Sequence, residues 1–207
     1  MKDCWKSIGL AGSIRGSGVT HLSVALANYA ASGLGKKTAY LELHVNGEIA
    51  HWKKAGAEGY FTDKKIHYYP KLTREQIPIL LNYDYECVIM DFGDEYISFR
   101  EEMLRCDRKV FLLNVNLWQN FYAKKLLDVV QKEGWGNIQP LYASANAQKK
   151  LKREMEKSYG IQIENIPPIP DPMCITSDKF ACLDRILGHS AAKAKRKNLP
   201  IPIWKKN

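Results

Sequence analysis

Hydrophobic and polar positions along the chain fall into short apolar blocks separated by glycine-bearing loops and amphipathic stretches. The apolar run Ile8-Gly9-Leu10-Ala11 predicts a first strand, and the alanine-rich segment Leu22 to Ala31, stopped by Gly33 and Gly35, predicts a buried helix. Thr38 to Leu43 reads as a second strand with His44-Val45-Asn46-Gly47 as its exit loop. Glu48 to Ala57 suits a short helix, and Phe61 to Tyr69 a strand or an irregular segment. Thr73 followed by Arg74-Glu75-Gln76 is a capping-box arrangement that opens a short helix, strained by Pro78.

Glu86 to Asp91 is the clearest strand, apolar until its terminal acid. Ser98 is placed to cap a helix through about Arg105, and Lys109 to Val115 is another apolar strand. Trp118 to Glu133 reads as a helix with Trp118, Tyr122, Leu126, Val129 and Val130 on one face, ended by Gly134. A strand over Ile138 to Ala143 and a charged surface helix over Ala147 to Tyr159 come next. The short strand Gly160 to Ile166, a rigid proline loop (Pro167 to Pro172) and a helix from Ser177 to about Leu187 complete the order. Strands alternate with helices, and several strands are apolar on both faces. That is the pattern of a three-layer αβα domain with a mostly parallel sheet. In such a sheet the ligand site lies at the carboxyl ends of the strands, where Gly12–Thr20, Glu42–Asn46 and Asp91–Asp94 converge.

Composition narrows this only a little. Of 207 residues, 45% are hydrophobic and 26% charged, the balance of a globular domain. No apolar run approaches a membrane span, and Met1 to Lys6 lacks a signal-peptide core, so a cytoplasmic protein is expected. Five scattered cysteines (Cys4, Cys87, Cys106, Cys174, Cys182) without a C-x-x-C spacing point to free thiols and to neither a disulfide framework nor a zinc site. The net charge of +9 is concentrated at the end, where Lys193, Lys195, Arg196, Lys197, Lys205 and Lys206 follow His189 with no acid among them. The division expected is therefore a domain over residues 1–188 and a basic tail over 189–207. That tail, which includes Trp204, suits DNA, an anionic membrane surface or simple solvation.

The chemistry sits in Gly12-Ser13-Ile14-Arg15-Gly16-Ser17-Gly18-Val19-Thr20-His21, between the first strand and the first helix. Glycines there allow positive φ and close backbone approach, and the helix N-terminus adds partial positive charge, so the loop is shaped to cradle phosphate. The Walker A pattern requires G-x-x-x-x-G-K-[ST]. With Gly18 as its second glycine, Thr20 is present, but the lysine is Val19. Arg15 is the cation that the loop retains. An ordinary strand-to-helix turn that binds nothing fits the same residues. Asp91 suits either a magnesium-positioning acid or the cap of an adjacent turn, Glu42 either a site acid or a sheet-edge polar residue. No metal spacing links His21 and His44, and no nucleophilic triad is evident.

These residues resemble the ParA/MinD branch of P-loop NTPases, whose deviant Walker A loop, K-G-G-x-G-K-[TS], falls on Ile14-Arg15-Gly16-Ser17-Gly18-Val19-Thr20. The following helix Leu22–Ala31, the second strand with its acidic exit at Leu41–Asn46, the strand Val88–Asp91 and the segment Ile163–Asp171 have counterparts in that family. The resemblance implies a P-loop NTPase-like fold, nucleotide contacts from Gly12, Ser13, Arg15, Gly16, Ser17, Gly18, Val19, Thr20 and His21, and Mg²⁺ held by Thr20 and Asp91. ATP or ADP with Mg²⁺ is the implied cofactor, and an empty loop is equally compatible. Both family lysines are gone, replaced by Ile14 and Val19, which resembles the eroded loops of TadZ-type localisation proteins. The expectation is a homodimeric positioning or scaffold protein with little or no hydrolysis, serving a pilus, secretion or partition assembly and recruited to the membrane periphery or DNA through its tail. An ATP–Mg²⁺ switch and a DNA-associated partition protein are the alternatives.

Overall fold

The computed structural model describes residues 6–45, 47–135 and 139–188. The tail 189–207, Asn46, Ile138 and Cys4, all part of the sequence reading, lie outside the described residues. The strands are β1 (Ser7–Gly12), β2 (Thr38–Glu42), β3 (Phe61–Asp63), β4 (Ile66–Tyr69), β5 (Cys87–Asp91), β6 (Arg108–Leu112), β7 (Leu141–Ser144) and β8 (Ile163–Asn165). They form one eight-stranded sheet in the order β3-β4-β2-β5-β1-β6-β7-β8. Every pairing is parallel except the β3/β4 hairpin at one edge.

The helices are α1 (Val19–Asn28), continued by a π-helical turn over Tyr29–Gly33, α2 (Glu48–Trp52), α3 (Gln76–Leu81), α4 (Arg100–Arg105), α5 (Asn120–Lys132), α6 (Lys149–Tyr159) and α7 (Phe180–Leu187). They cover both faces of the sheet. Alternation along the strands divides the core in two: Ile8, Leu10, Tyr40, Ile89 and Val110 pack with α1 and α7, whereas Ala11, Leu41, Met90 and Phe111 pack with α3, α4 and α5. β1 and β5 are buried on both faces, as central strands of a doubly covered sheet must be. The three-layer α/β architecture expected from the alternating pattern is thus the one observed.

Several local expectations change. α1 begins at Val19, ahead of the apolar stretch, because Gly18 in the left-handed region turns the loop directly into the helix. The helix expected over Glu48–Ala57 ends at Trp52. Phe61–Tyr69 resolves into the β3/β4 hairpin. Pro78 does not strain α3, since it lies in the first turn, where its missing N–H has no intrahelical acceptor to lose. The capping-box contact survives there as Thr73 N–H donating to Gln76 Oε1 at 2.9 Å. Ser98 does not cap α4, which starts after Phe99 without a side-chain cap. The buried stripe of α5 is Ala123, Leu126, Leu127 and Val130, and Trp118 and Tyr122 stand in solvent instead. Among the described residues no helix is long and apolar enough to cross a membrane.

Burial also grades the thiols. Cys87, Cys106 and Cys182 are buried and Cys174 is exposed, and burial pushes the Cys106 thiol up to about 12. Thiolate content and access together set reactivity. Iodoacetamide at pH 8 should therefore label Cys174 in the folded protein and reach Cys106 only after denaturation, as read by peptide mass mapping. Equal labelling of both in the native state would contradict this packing.

Candidate functional site

The glycine loop leaves the sheet where β1 lies between β5 and β6, the point at which the chain's successive crossovers change side. Its entry is pinned from both neighbours. Gly12 N–H donates to the Gly93 carbonyl at 2.7 Å, and Ser13 N–H to the Leu112 carbonyl at 2.9 Å. Inside the loop, Ile14 N–H donates to Ser17 Oγ at 3.2 Å, and Ser17 N–H returns a bond to the Ile14 carbonyl at 3.1 Å. A Cβ on Gly12 would come within 2.8 Å of both Ser17 Cβ and Val19 Cγ2, so only glycine permits this closure. Gly16 and Gly18 have φ of 82° and 87°, a conformation that L side chains rarely adopt.

α1 then starts with no side-chain cap and no acid in its first turn. Its first N–H groups therefore have no intrahelical acceptor and present partial positive charge to whatever the loop encloses. That cradle fits a phosphate group. The side chains fit it less well. Val19, in the lysine position, is buried and rests on Gly12, so it offers the loop no charge. Arg15 is exposed. His21 is engaged elsewhere, its Nε2 lying 2.6 Å from the Ile169 carbonyl and tying the proline loop to α1.

Beneath the loop the carboxyl ends of β2 and β5 meet α1 as the sequence leads one to expect, and they bring Thr20, Glu42, His44 and Asp91 into one polar cluster that Tyr40 joins from within β2. Tyr40, Glu42 and Asp91 are fully buried, and His44 is 3% exposed. Asp91 Oδ2 accepts the Tyr40 hydroxyl at 2.6 Å, and Asp91 Oδ1 accepts Gly93 N–H at 2.9 Å. His44 Nε2 lies 3.4 Å from Thr20 Oγ1, 3.5 Å from Asp91 Oδ2 and 3.8 Å from Glu42 Oε1. Glu42 Oε1 also accepts Ile49 N–H at 2.8 Å. The two oxygens expected to hold Mg²⁺, on Thr20 and Asp91, thus both face one imidazole nitrogen.

The electrostatics follow from burial and proximity. Burial, aided by the Asp91 charge, holds the Tyr40 phenol well above its ordinary value, so it stays a neutral donor. Burial also raises the Glu42 carboxyl, against the opposing Ile49 N–H and His44. For His44, burial alone would lower the pKa. The hydrogen bond and charge of Asp91, with Glu48 and Glu42 adding to them, outweigh that and leave it raised. The imidazole thus sits among three acids, next to the place where a phosphate would sit. The sequence places His44 in the segment that meets the loop, but a single histidine carries no spacing signal for the contacts it makes there. Tyr40 was invisible as one β-former among others in an apolar strand. A cavity of about 670 Å³ lined by Lys37, Tyr60, His67, Tyr69, Tyr83 and Tyr85, among others, shares no residue with this cluster.

No protein-family model matches the chain, and no curated protein matches it in sequence. Solved structures do match its fold. A plasmid partition protein from Borrelia burgdorferi B31, solved bound to AMPPNP, superposes with a TM-score of 0.64 at 11% identity, over 88% of this chain and 97% of that one. A ParA family ATPase from Chlorobium tepidum TLS gives 0.60 at 15% identity, over 90% and 93%. Cobyrinic acid a,c-diamide synthase from Mycobacterium smegmatis gives 0.56 at 12% identity, over 87% and 91%. The chain has the three-layer fold of ParA-type P-loop NTPases.

Replacing Tyr40 by Phe removes one donor from a fully buried carboxyl group without opening a cavity. It should cost about 1–3 kcal/mol in urea unfolding. A loss under about 0.5 kcal/mol would mean that Asp91 does not depend on this bond.

Proposed function

We propose that this chain is a positioning or scaffold protein of the ParA/MinD type, with an eroded deviant Walker A loop and little or no hydrolysis. The observation that carries the reading is Val19: the loop keeps the shape that receives phosphate, yet the position of the transferring charge is an apolar side chain packed against Gly12. Phosphoryl transfer depends on positioned charge, and valine has none to place. His44 between Thr20 and Asp91 supports the same conclusion. A magnesium ion on those two residues, the ligand pair implied by the family resemblance, requires the imidazole to move aside.

In this reading Gly12, Ser13, Arg15, Gly16, Ser17, Gly18, Val19, Thr20 and His21 form the nucleotide face, ATP or ADP acts as an occupancy signal, and the protein localises a pilus, secretion or partition assembly, as TadZ-type proteins do. Residues 1–188 form the NTPase-like domain and 189–207 a basic tail that associates with DNA or the membrane periphery from the cytoplasm. Homodimerisation uses the loop face. Leu117, Trp118 and Phe121 are exposed just after β6, whose carboxyl end is bonded to Ser13 through Leu112 and Asn114. Contiguous apolar side chains in solvent mark an interaction surface.

Calorimetric titration of ATP and ADP, with and without Mg²⁺, into wild type and Val19→Lys tests the nucleotide reading. Wild type should bind weakly and without turnover, and the lysine should improve affinity at least about tenfold, or ~1.4 kcal/mol. Micromolar Mg²⁺-dependent binding with turnover by wild type would sink it in favour of an ATP switch that uses Arg15. Light scattering should show a wild-type dimer and a monomer for Trp118→Glu/Phe121→Glu, and a double variant that stays dimeric would place the interface elsewhere.

A further inference from the structure

The cluster at the end of β2 holds more ligand atoms than its hydrogen bonds use. Glu42 Oε2 is buried without a hydrogen-bond partner, and so is His44 Nδ1. His44 Nδ1 faces Glu48 Oε2 at 3.3 Å without hydrogen-bonding geometry. One ligand atom each from Glu42, His44 and Glu48 lies within 4.8 Å of the others. Leaving two such atoms unpaired in a protein interior is costly, and a cation bound by these side chains would lower that cost.

We propose that Glu42, His44 and Glu48 form a site for a divalent cation of the later first transition row, with Zn²⁺ the best fit. Imidazole nitrogen with carboxylate oxygen selects such an ion over Mg²⁺, which prefers an all-oxygen shell. The geometry agrees. Bonds of about 2 Å in a tetrahedron place neighbouring ligand atoms about 3.3 Å apart, the separation already present between His44 Nδ1 and Glu48 Oε2. Glu42 ends β2 and is fully buried, its Oε1 held by Ile49 N–H. Glu48 opens α2 with its side chain 47% exposed, so it is free to close on the ion while water completes the shell.

The surroundings supply the orienting bonds that metal ligands need. Ile49 N–H holds Glu42 Oε1, and Asp91 Oδ2 stands beside His44 Nε2, a carboxylate behind a ligating histidine. Metal on Nδ1 makes Nε2 an N–H donor toward Thr20 and Asp91, so occupancy at this site fixes side chains at the foot of the phosphate loop. The site requires no nucleotide, and its test is independent of nucleotide binding.

The experiment titrates ZnCl₂, and separately MgCl₂, into the chelator-treated full chain by calorimetry, with Co²⁺ absorption as a second readout. One Zn²⁺ per chain should bind at micromolar or tighter affinity, millimolar Mg²⁺ should not displace it, and Co²⁺ should give visible bands of low coordination number. Because His44 is buried and its loss threatens folding, the deciding variant is the half-exposed Glu48→Gln, with Glu154→Gln on α6 as control. Glu48→Gln should weaken Zn²⁺ by more than about tenfold, the loss that even an outer-shell partner causes, and the control should bind as wild type does. Absence of stoichiometric Zn²⁺ in wild type, or unchanged binding in Glu48→Gln, would overturn the proposal.

Discussion

A carboxyl group removed from water must find donors within the protein, and Asp91 is the group on which this end of the sheet depends. It closes β5 between β1 and β2, fully buried, with one oxygen bound by the Tyr40 hydroxyl and the other by Gly93 N–H. The first bond adds a side-chain tie between β2 and β5 to their backbone ladder, and the second sets the turn that follows β5. The same turn accepts Gly12 N–H through the Gly93 carbonyl, so the position of the phosphate loop is inherited from the pairing of a buried acid.

The loop itself separates shape from charge. Its shape comes from backbone: a glycine at Gly12 where no Cβ fits, two left-handed glycines, and an uncapped helix N-terminus. None of these needs the lysine, so exchanging lysine for a valine that packs on Gly12 leaves the fold intact. A titratable group stands instead one layer lower, at His44, where Asp91, Glu48 and Glu42 raise the imidazole above its ordinary value.

The apolar side chains of α5 show how a surface is misread from periodicity. Trp118 and Tyr122 fall on the helical period of Leu126 and Val130, yet only the latter pair reaches the core. The helix starts later than the pattern suggests, and Asn116 and Gln119 organise the preceding turn through their own hydrogen bonds. What periodicity assigned to the core is left in solvent beside the loop face.

By itself the sequence determined the layered α/β architecture, the central strands and the phosphate-shaped loop. Apolar blocks of strand length, an alanine-rich helix and glycine spacing are local signals that need no partner to be read. Helix starts such as Gly18, and ends such as Trp52, were less legible because a left-handed cap or a fraying turn depends on single dihedrals. The convergence of the three loop segments was legible from the strand order, but the burial and contacts of the cluster were decided only by tertiary structure. Tyr40, Glu42, His44 and Glu48 come from one stretch of the chain, but Asp91 and Thr20 reach them only once parallel pairing sets β2 beside β5 and α1 crosses above. Hydrogen bonds and charge at a distance of a few ångströms are properties of that convergence, and no spacing along the chain encodes them.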